Sequence, residues 1–439
     1  MSLAMENVIS QENVNRKLTT ELLPNVLIMV GDYMFMMHKS CLANKSAYLR
    51  KFIEERSNEE NDLVCAFTLH DFPGGARTFQ IIAKFCYGQK FELTSSNVVP
   101  IICAAYYLNM NMMEDDDTTS SKFNLIFKAK KFLSGIVFSN WKESIEALIS
   151  CDHEDVLNQA DELGIVSRCL QSLAYKVTYH ESIYPDWWYE DVCSLNLSLF
   201  KRLIEVLGEM GHDPVNISNA IAYYANEYNP GLDPNSSGIW SVEERKLHEQ
   251  IVGMLPVQKG ATSTKYLLSM LSVGIMLNAN VRYIQSLERK IGAQLDEATL
   301  EDLLVPNFGD EQDATFDITC LTRIIENFVE ENMLAIELLY YSHDNKSLEG
   351  SDLLLAKIAA VATIVDQYLA KVAIDSNLKL EEFRSLACVI PDGARPSHDG
   401  LYRAICTYIK HHPWILNQEK QRLYQLLDLE KLSRDACRE

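Results

Sequence analysis

The first residues of this sequence that could do chemistry are a histidine and a cysteine three positions apart. His38 and Cys41 interrupt the apolar stretch YMFMMHKSCLANKSAYLRKFI, residues 33–53. A cysteine thiol becomes a nucleophile when a nearby imidazole accepts its proton. The alternative is that His38 and Lys39 form a polar pair that serves the fold, and Cys41 then needs no base. For that structural role we expect the half-buried imidazole to hydrogen-bond the backbone, because an unpaired buried polar group is costly.

Two short clusters combine histidine with other residues that bind metals. SCDHED, residues 150–155, contains Cys151 and His153 among acidic side chains, and His411 is adjacent to His412. Neighbouring side chains on a helix point about 100° apart, so neither cluster brings its ligands to one point. We interpret the acidic residues of SCDHED as the first turn of a helix, where negative charge complements the helix dipole. We predict no metal and no cofactor.

A lysine and several hydroxyls in VQKGATSTK, residues 257–265, suggest a phosphate-binding loop. Such a loop needs Gly-Lys-Ser/Thr after a strand, whereas here the order is Lys-Gly and the surroundings are helical. We therefore expect Thr262 or Ser263 to cap the N-terminus of a helix.

An acid–base pair is conceivable in RPSHDGLYRAICTYIKHHPW, residues 395–414, where His398 precedes Asp399. Spacing places no nucleophile or second carboxylate beside them. We interpret Ser397 or Asp399 as the cap of a helix that Pro413 stops. With no catalytic constellation in the sequence, we predict that the protein is not an enzyme.

Two adjacent tryptophans in YPDWWYEDV are candidates for a partner surface. The side chains of Trp187 and Trp188 point in different directions on a helix. We expect one to fill a core and the other to pack against a neighbour or a partner. Core packing by both is the alternative.

Composition limits the classes of partner. The chain has 439 residues, a formal net charge of -21 and 47% hydrophobic residues. This charge disfavours binding to nucleic acid or to anionic lipid, both of which require a basic face, so the expected partners are proteins. Eleven cysteines without close pairs suggest buried reduced thiols. The first residues show no basic region followed by an apolar one, and no stretch approaches about eighteen apolar residues. We therefore expect a cytoplasmic protein, with peripheral attachment at the plasma membrane as the alternative.

The elements that must position these residues change character along the chain. Two short strands joined at Gly31-Asp32, a helix, a third strand and two more helices are predicted as far as residue 110. The acidic, Ser/Thr-rich stretch Met112–Lys122 indicates a linker. From Phe123 onward, apolar residues recur at three- and four-residue spacing, which predicts an all-helical region.

This order of elements resembles a BTB/POZ domain, and the blocks FPGGARTFQIIAKFCYG and ELTSSNVVPIICAAYYL are similar to the plant BTB proteins of the non-phototropic hypocotyl and root phototropism family. The resemblance continues through WWYEDV, LPVQKGATSTKYLLSML and RPSHDGLYRAICTYIKHHPW, and so covers most of the chain. It implies an α+β N-terminal BTB/POZ domain followed by a large all-α helical domain. The implied boundaries are an N-terminal extension at 1–20, the BTB/POZ domain at 21–112, a helical linker at 113–183 and the family-specific helical domain at 184–439.

The resemblance also implies a function. Members of the family are thought to be substrate-specific adaptors of cullin-3 RING ubiquitin ligases, and some act beside phototropin blue-light receptor kinases. BTB domains usually form homodimers or heterodimers, so a dimerising signalling scaffold without ligase activity is the alternative. Cullin-3, a second BTB chain and a phototropin-like receptor kinase are therefore the expected partners.

Several site residues follow from the same resemblance. The BTB structural signature corresponds to His38, Lys39, Leu42 and Tyr48, and the cullin-contact candidates are Phe79, Ile82 and Tyr87. The family's phosphorylated tyrosine corresponds to Tyr402, for which an ordinary place on a helix is the alternative.

Two positions depart from the BTB pattern. Asn25 stands where BTB domains often have aspartate, which we expect to weaken a capping or dimer contact. Phe79, Gln80 and Ile81 stand where cullin-binding domains often have a hydrophobe, any residue and glutamate.

Overall fold

The computed structural model forms two compact units, Met1–His212 and Asp213–Glu439. The structure describes residues 24–59, 65–110, 124–179, 184–228, 241–308, 314–333, 351–391 and 394–433. The predicted N-terminal extension and the acidic stretch Met112–Lys122 lie outside these ranges. The division groups the predicted linker and the first part of the predicted helical domain with the N-terminal unit.

A three-stranded sheet begins the N-terminal unit. Strands β1 (Val26–Val30), β2 (Tyr33–Met37) and β3 (Cys65–Leu69) lie in the order β2-β1-β3. β1 pairs antiparallel with β2 through the predicted turn, where Gly31 has a φ of 57°, and parallel with β3. Since side chains alternate across a strand, the sheet presents one face to the core and the other to solvent.

Helices cover the core face of this sheet and continue to the end of the unit. They are α1 (Lys39–Ala43), α2 (Ala47–Glu59), α3 (Gly75–Cys86), α4 (Ser95–Tyr107), α5 (Leu125–Phe132), α6 (Trp141–Ile149), α7 (Glu154–Glu162), α8 (Ile165–Tyr179), α9 (Tyr189–Val192) and α10 (Leu197–Glu209), with a π-helical turn at Leu133–Val137. α4 begins at Ser95, ahead of Pro100, where the Asn97 side chain accepts the N–H of Thr94 at 2.9 Å. This cap gives the helix its N-terminus.

The second unit is helical. Its helices are α11 (Pro214–Tyr228), α12 (Val242–Met254), α13 (Thr264–Met276), α14 (Val281–Ala293), α15 (Ile318–Glu331), α16 (Ser351–Val372), α17 (Leu380–Val389), α18 (Asp399–His411) and α19 (Asn417–Tyr424), with 3-10 turns at Leu295–Glu297 and Leu429–Lys431. α14 packs on α15 and α16 packs on α18. The predicted fold class, an α+β unit followed by a large all-α region, is confirmed.

Close helix packing in the second unit depends on a glycine. A Cβ built on Gly400 of α18 would lie 2.9 Å from the Cβ of Asp366 on α16. Carbon atoms this close repel strongly, so any larger residue at this position would push the helices apart.

Candidate protein-interaction sites

His38 stands at the junction of β2 and α1, where Tyr87 completes its hydrogen bonds. The hydroxyl of Tyr87 accepts the backbone N–H of His38 at 3.0 Å and lies 2.8 Å from the imidazole Nδ1. The expected partner of the imidazole was a backbone group, and that expectation is wrong because the tyrosine hydroxyl occupies the position. The pair ties the end of the sheet to the C-terminal end of α3.

Asn25 caps the same corner. Its side-chain oxygen accepts the backbone N–H of Lys39, the first residue of α1, at 2.8 Å, and its backbone N–H donates to Met37. An amide oxygen can accept this hydrogen bond as a carboxylate does. The capping contact is therefore formed by asparagine, and a weaker capping or dimer contact stays a prediction.

The remaining residues of the predicted BTB signature pack into the core. Leu42 is fully buried, and the half-buried ring of Tyr48 lies 5.7 Å from that of Tyr107 and 6.3 Å from that of Phe52. Cys41 is buried as well. The arrangement is that of a folded core, as the structural alternative for this stretch predicts.

Burial also disfavours thiol chemistry at two of the other described cysteines. Burial raises the pKa of Cys86 and of Cys151 to about 12. A thiol with so high a pKa is almost entirely protonated at neutral pH and is a poor nucleophile or metal ligand. These cysteines act as small apolar residues.

The other predicted clusters occupy helix ends. Glu154 and Asp155 form the acidic first turn of α7, as predicted. Ser263 caps α13 by accepting the N–H of Tyr266. His412 is buried whereas His411 is exposed. Among the described residues, no three histidine, cysteine, aspartate or glutamate side chains are grouped as metal ligands.

The start of α18 differs in detail from its prediction. His398 is the N-cap, and Ser397 accepts the N–H of Asp399 at 3.3 Å. The carboxylate of Asp399 accepts the N–H of Ser433 at 2.8 Å, while Nδ1 of the fully buried His398 accepts the N–H of Asp428 at 3.0 Å. Both side chains hold the chain's last described turn against α18.

Two of the three cullin-contact candidates are core residues. Phe79 is 0% exposed and Ile82 is 1% exposed, and the ring of Phe79 lies 4.8 Å from that of Phe35. Their prediction as surface contacts is wrong, because they occupy the stripe of α3 that faces the sheet. Tyr87 is half-buried. The opposite side of the helix presents Arg77, Gln80, Ile81 and Lys84.

The two tryptophans have different environments. Trp188 is 0% exposed and packs edge-on against Tyr189 at 4.9 Å, so it is a core residue and its prediction as a partner surface is wrong. Trp187 is half-buried, with its ring 4.6 Å from that of Trp141. Trp141 is held in turn by a hydrogen bond from its indole N–H to Asp191 at 2.7 Å. Trp187 remains the candidate for partner contact.

Tyr402 lies half-buried in the first turn of α18. In the same turn Gly400 closely approaches Asp366, a member of a buried ion pair that the sequence did not predict. Arg395 is 1% exposed, and its Nε donates to the carboxylate of Asp366 at 3.1 Å, while Nη1 donates to the carbonyl of Ile390 at 3.0 Å. Burial raises the pKa of Asp366, and the charge of Arg395 opposes that rise. The sequence does place Asp366 among the apolar residues of α16, and a buried aspartate requires a partner.

Comparison with known proteins agrees with this arrangement. The model of the NPH3 family matches residues 186–437, and that of the BTB/POZ domain matches residues 14–123. A BTB/POZ domain-containing protein of Arabidopsis thaliana is 37% identical over 471 residues, which span 95% of this chain and 70% of the relative. A second Arabidopsis protein of the same description is 37% identical over 470 residues, which span 95% of this chain and 77% of the relative. No solved structure matches the chain.

These matches cover both ends of the first unit and nearly all of the second, and α5 to α8 lie between the two matches. The BTB/POZ match contains the sheet and α1 to α4, and the NPH3 match contains the helices from α9 onward. No helix within the described ranges has the length and apolar character needed to cross a membrane. The chain belongs to the NPH3 family, as a protein-interaction adaptor that carries a BTB/POZ domain before the family's helical segment.

Proposed function

We propose that this protein is a substrate-specific adaptor of a cullin-3 RING ubiquitin ligase. The BTB/POZ domain would bind the cullin, and the NPH3 segment at residues 186–437 would select the protein to be ubiquitinated. The observation that carries the proposal is the BTB/POZ domain match at residues 14–123, together with a sheet covered by helices in that segment. An adaptor needs one surface that binds the cullin and another that binds the target protein, and the rest of the ligase supplies the catalysis.

The burial pattern of α3 indicates which residues would contact the cullin. Phe79 and Ile82 are buried and pack α3 against the core. The side chains available to contact the cullin are therefore the half-buried ones on the opposite side of the helix, Gln80, Ile81 and Lys84. Ile81 is the apolar member of this set. Apolar side chains near the centre of an interface commonly contribute most of its binding energy.

Binding to the N-terminal domain of cullin-3 tests this surface. We expect the chain to bind at micromolar concentration and the Ile81→Asp/Lys84→Glu variant to bind at least about tenfold more weakly. The control is Ile149→Asp/Lys142→Glu on α6, where both residues are exposed, whereas Ile81 and Lys84 are half-buried. The absence of binding by the unaltered protein would remove the ligase role, and an equal loss in both variants would reject the α3 surface.

A signalling scaffold that dimerises through its BTB/POZ domain is the second candidate. It is favoured by the edge strand β2, which exposes 65% of Tyr33, 50% of Met34 and 44% of Met36. Uncharged edge strands with exposed apolar side chains tend to pair. Light scattering at micromolar concentration tests the scaffold, for which we expect a dimer that Met34→Lys/Met36→Lys dissociates. A monomer at that concentration counts against it.

We propose a phototropin-like receptor kinase as the target class, reached in the cytoplasm or at the inner side of the plasma membrane. The resemblance to the phototropism family supports this target, and Trp187 is the side chain proposed to contact it. Proximity labelling in plant cells with the full chain and with Trp187→Ala tests the pairing. We expect the kinase among the labelled proteins and its labelling reduced by the variant.

Tyr402 is proposed as a site of phosphorylation. It lies in the first turn of α18, where an added negative charge is favourable at the positive end of the helix dipole. Incubation of the folded chain with a tyrosine kinase and ATP, followed by peptide mass spectrometry, tests this site. Tyr408 on the same helix is 1% exposed and provides the internal control, because we expect it to stay unmodified.

A further inference from the structure

The outward side of α5 is basic in a strongly acidic protein. Lys128, Lys130 and Lys131 are all exposed, and Phe127, immediately before Lys128, is 50% exposed. At 3.6 residues per turn these four side chains share one side of the helix, while Leu125, Ile126 and Ala129 are buried on the other. We refer to Phe127, Lys128, Lys130 and Lys131 as the α5 basic face.

Aromatic rings lie close to two of the three ammonium groups of this face, those of Lys128 and Lys130. Nζ of Lys128 lies 6.0 Å from the centroid of Phe85, and Nζ of Lys45 lies 5.5 Å from the same centroid. Nζ of Lys130 lies 5.3 Å from the centroid of Tyr106. An ammonium group is attracted to the face of an aromatic ring, so these lysines lose less freedom when an anion binds than free lysines would.

Within the part of the chain that the structure describes, the positive charge of this face is not neutralised. Lys128, Lys130 and Lys131 form no ion pair with any described residue. The whole chain, by contrast, has a formal net charge of -21. Because salt screens charges beyond about 8 Å under physiological conditions, the local positive face can attract an anion although the whole chain is negative.

The chemistry of the face limits what can bind. A short acidic segment meets only the local lysines, whereas a nucleic acid or an anionic membrane extends over many Debye lengths and also meets the negative remainder of the protein. The exposed ring of Phe127 adds apolar surface beside the lysines. Charge and apolar surface together favour a peptide over a simple polyanion.

We propose that the α5 basic face binds an acidic peptide segment of a partner protein that also presents an apolar side chain to Phe127. This surface goes beyond the adaptor role described above, because it lies on α5 rather than on the outward side of α3 and does not require cullin binding. It gives the N-terminal unit a second point of attachment for a partner.

Fluorescence anisotropy with a labelled Glu/Asp-rich peptide containing one leucine tests the proposal on the full chain. We expect saturable binding that weakens as salt is raised and that falls by more than about tenfold in Lys128→Glu/Lys130→Glu/Lys131→Glu. The control Lys142→Glu/Lys246→Glu/Lys265→Glu makes the same change in net charge at exposed lysines elsewhere. We expect its affinity for the peptide to change by less than about twofold. Circular dichroism checks that both triple variants fold. If the variant of the α5 basic face does not fold, Lys128, Lys130 and Lys131 are changed to glutamine instead of glutamate.

Four results would overturn the proposal. One is the absence of peptide binding by the unaltered chain, and another is an equal loss of binding in the two triple variants. A third is equally strong binding to phosphatidylserine-containing vesicles, which would assign the face to membranes. The fourth is peptide binding that emerges only when Glu114, Asp115, Asp116 and Asp117 are changed to amides, because the chain's own acidic stretch would then be the occupant. Weaker binding by Phe127→Ala with an unchanged salt dependence would support the apolar contact.

Discussion

The hydroxyl of Tyr87 lies 2.8 Å from the imidazole of His38 and also accepts the backbone N–H of the same histidine. Two hydrogen bonds at one oxygen join the end of β2 to the end of α3. We expect Tyr87→Phe to lower the free energy of unfolding by about 1 to 3 kcal/mol, because it leaves the N–H and the ring nitrogen of His38 without this partner. Urea denaturation measures the change.

The control for this variant is Tyr33→Phe, which removes a hydroxyl from a tyrosine that is 65% exposed. We expect its stability to equal that of the unaltered protein. We also expect His38→Ala to lower the free energy of unfolding. A structural histidine has no catalytic activity to lose, so stability is the property that this variant should change. If Tyr87→Phe unfolds at the same urea concentration as Tyr33→Phe, the His38–Tyr87 pair has no structural role.

The sequence alone predicted local features of this corner well and its long-range pairing poorly. The alternation of Val26, Ile28 and Val30 in β1 predicts a strand with one buried face, which the structure has. The partner of His38 is 49 positions away, and no local pattern indicates it. Hydrogen bonds between distant elements depend on packing, which the periodicity of one helix does not specify.

The errors in the candidate sites have two different causes. Phe79 and Ile82 lie three residues apart on the apolar stripe of α3, and this spacing alone could have identified them as core. Trp187 and Trp188 could not be ranked in the same way, because they lie in a turn before the short helix α9, where helical periodicity gives no direction. The packing of Trp188 against Tyr189 distinguishes them.

The contact of Gly400 with Asp366 predicts the effect of a single methyl group. We expect Gly400→Ala to destabilise the protein by about 1 to 3 kcal/mol, because the added Cβ would overlap the side chain of Asp366. Thermal unfolding of Gly208→Ala provides the control. Gly208 is also helical and has open space around it, so alanine there should stabilise by about 0.5 to 1 kcal/mol. Equal stability of the two variants would contradict the close approach of α16 and α18.

Cysteine accessibility predicts a selective pattern of alkylation. Cys388 is exposed and Cys406 is partly exposed, whereas Cys41 and Cys86 are buried. We expect brief treatment of the folded protein with iodoacetamide, followed by peptide mass spectrometry, to label Cys388 and Cys406 before the other cysteines of the described ranges. Rapid labelling of Cys41 would instead indicate the reactive thiol considered for the His38–Cys41 stretch.

His248 predicts a pH dependence of stability. Burial lowers its pKa from 6.5 to about 4 in the folded state. The unfolded chain therefore binds the proton first as the pH falls, and stability is lost between pH 6.5 and about 4, up to about 3 kcal/mol. Above pH 6.5 both states hold a neutral imidazole and the contribution is constant.

The His248→Gln variant isolates this contribution, because glutamine does not titrate in the range. Denaturant unfolding of both proteins at pH 7 and at pH 5 gives the comparison. We expect the unaltered protein to lose more stability than the variant on this acidification. Parallel losses would mean that the imidazole is protonated in the folded state, which disagrees with its 2% exposure.

The most direct test of the proposed adaptor role is a calorimetric titration of the purified chain with the N-terminal domain of cullin-3. If the cullin binds, the outward side of α3 must supply the contact with it, although Gln80 and Ile81 stand in place of a glutamate-containing motif. We expect saturable binding of one cullin domain per chain with a Kd in the micromolar range or tighter. The absence of binding at these concentrations, with a correctly folded chain, would contradict it.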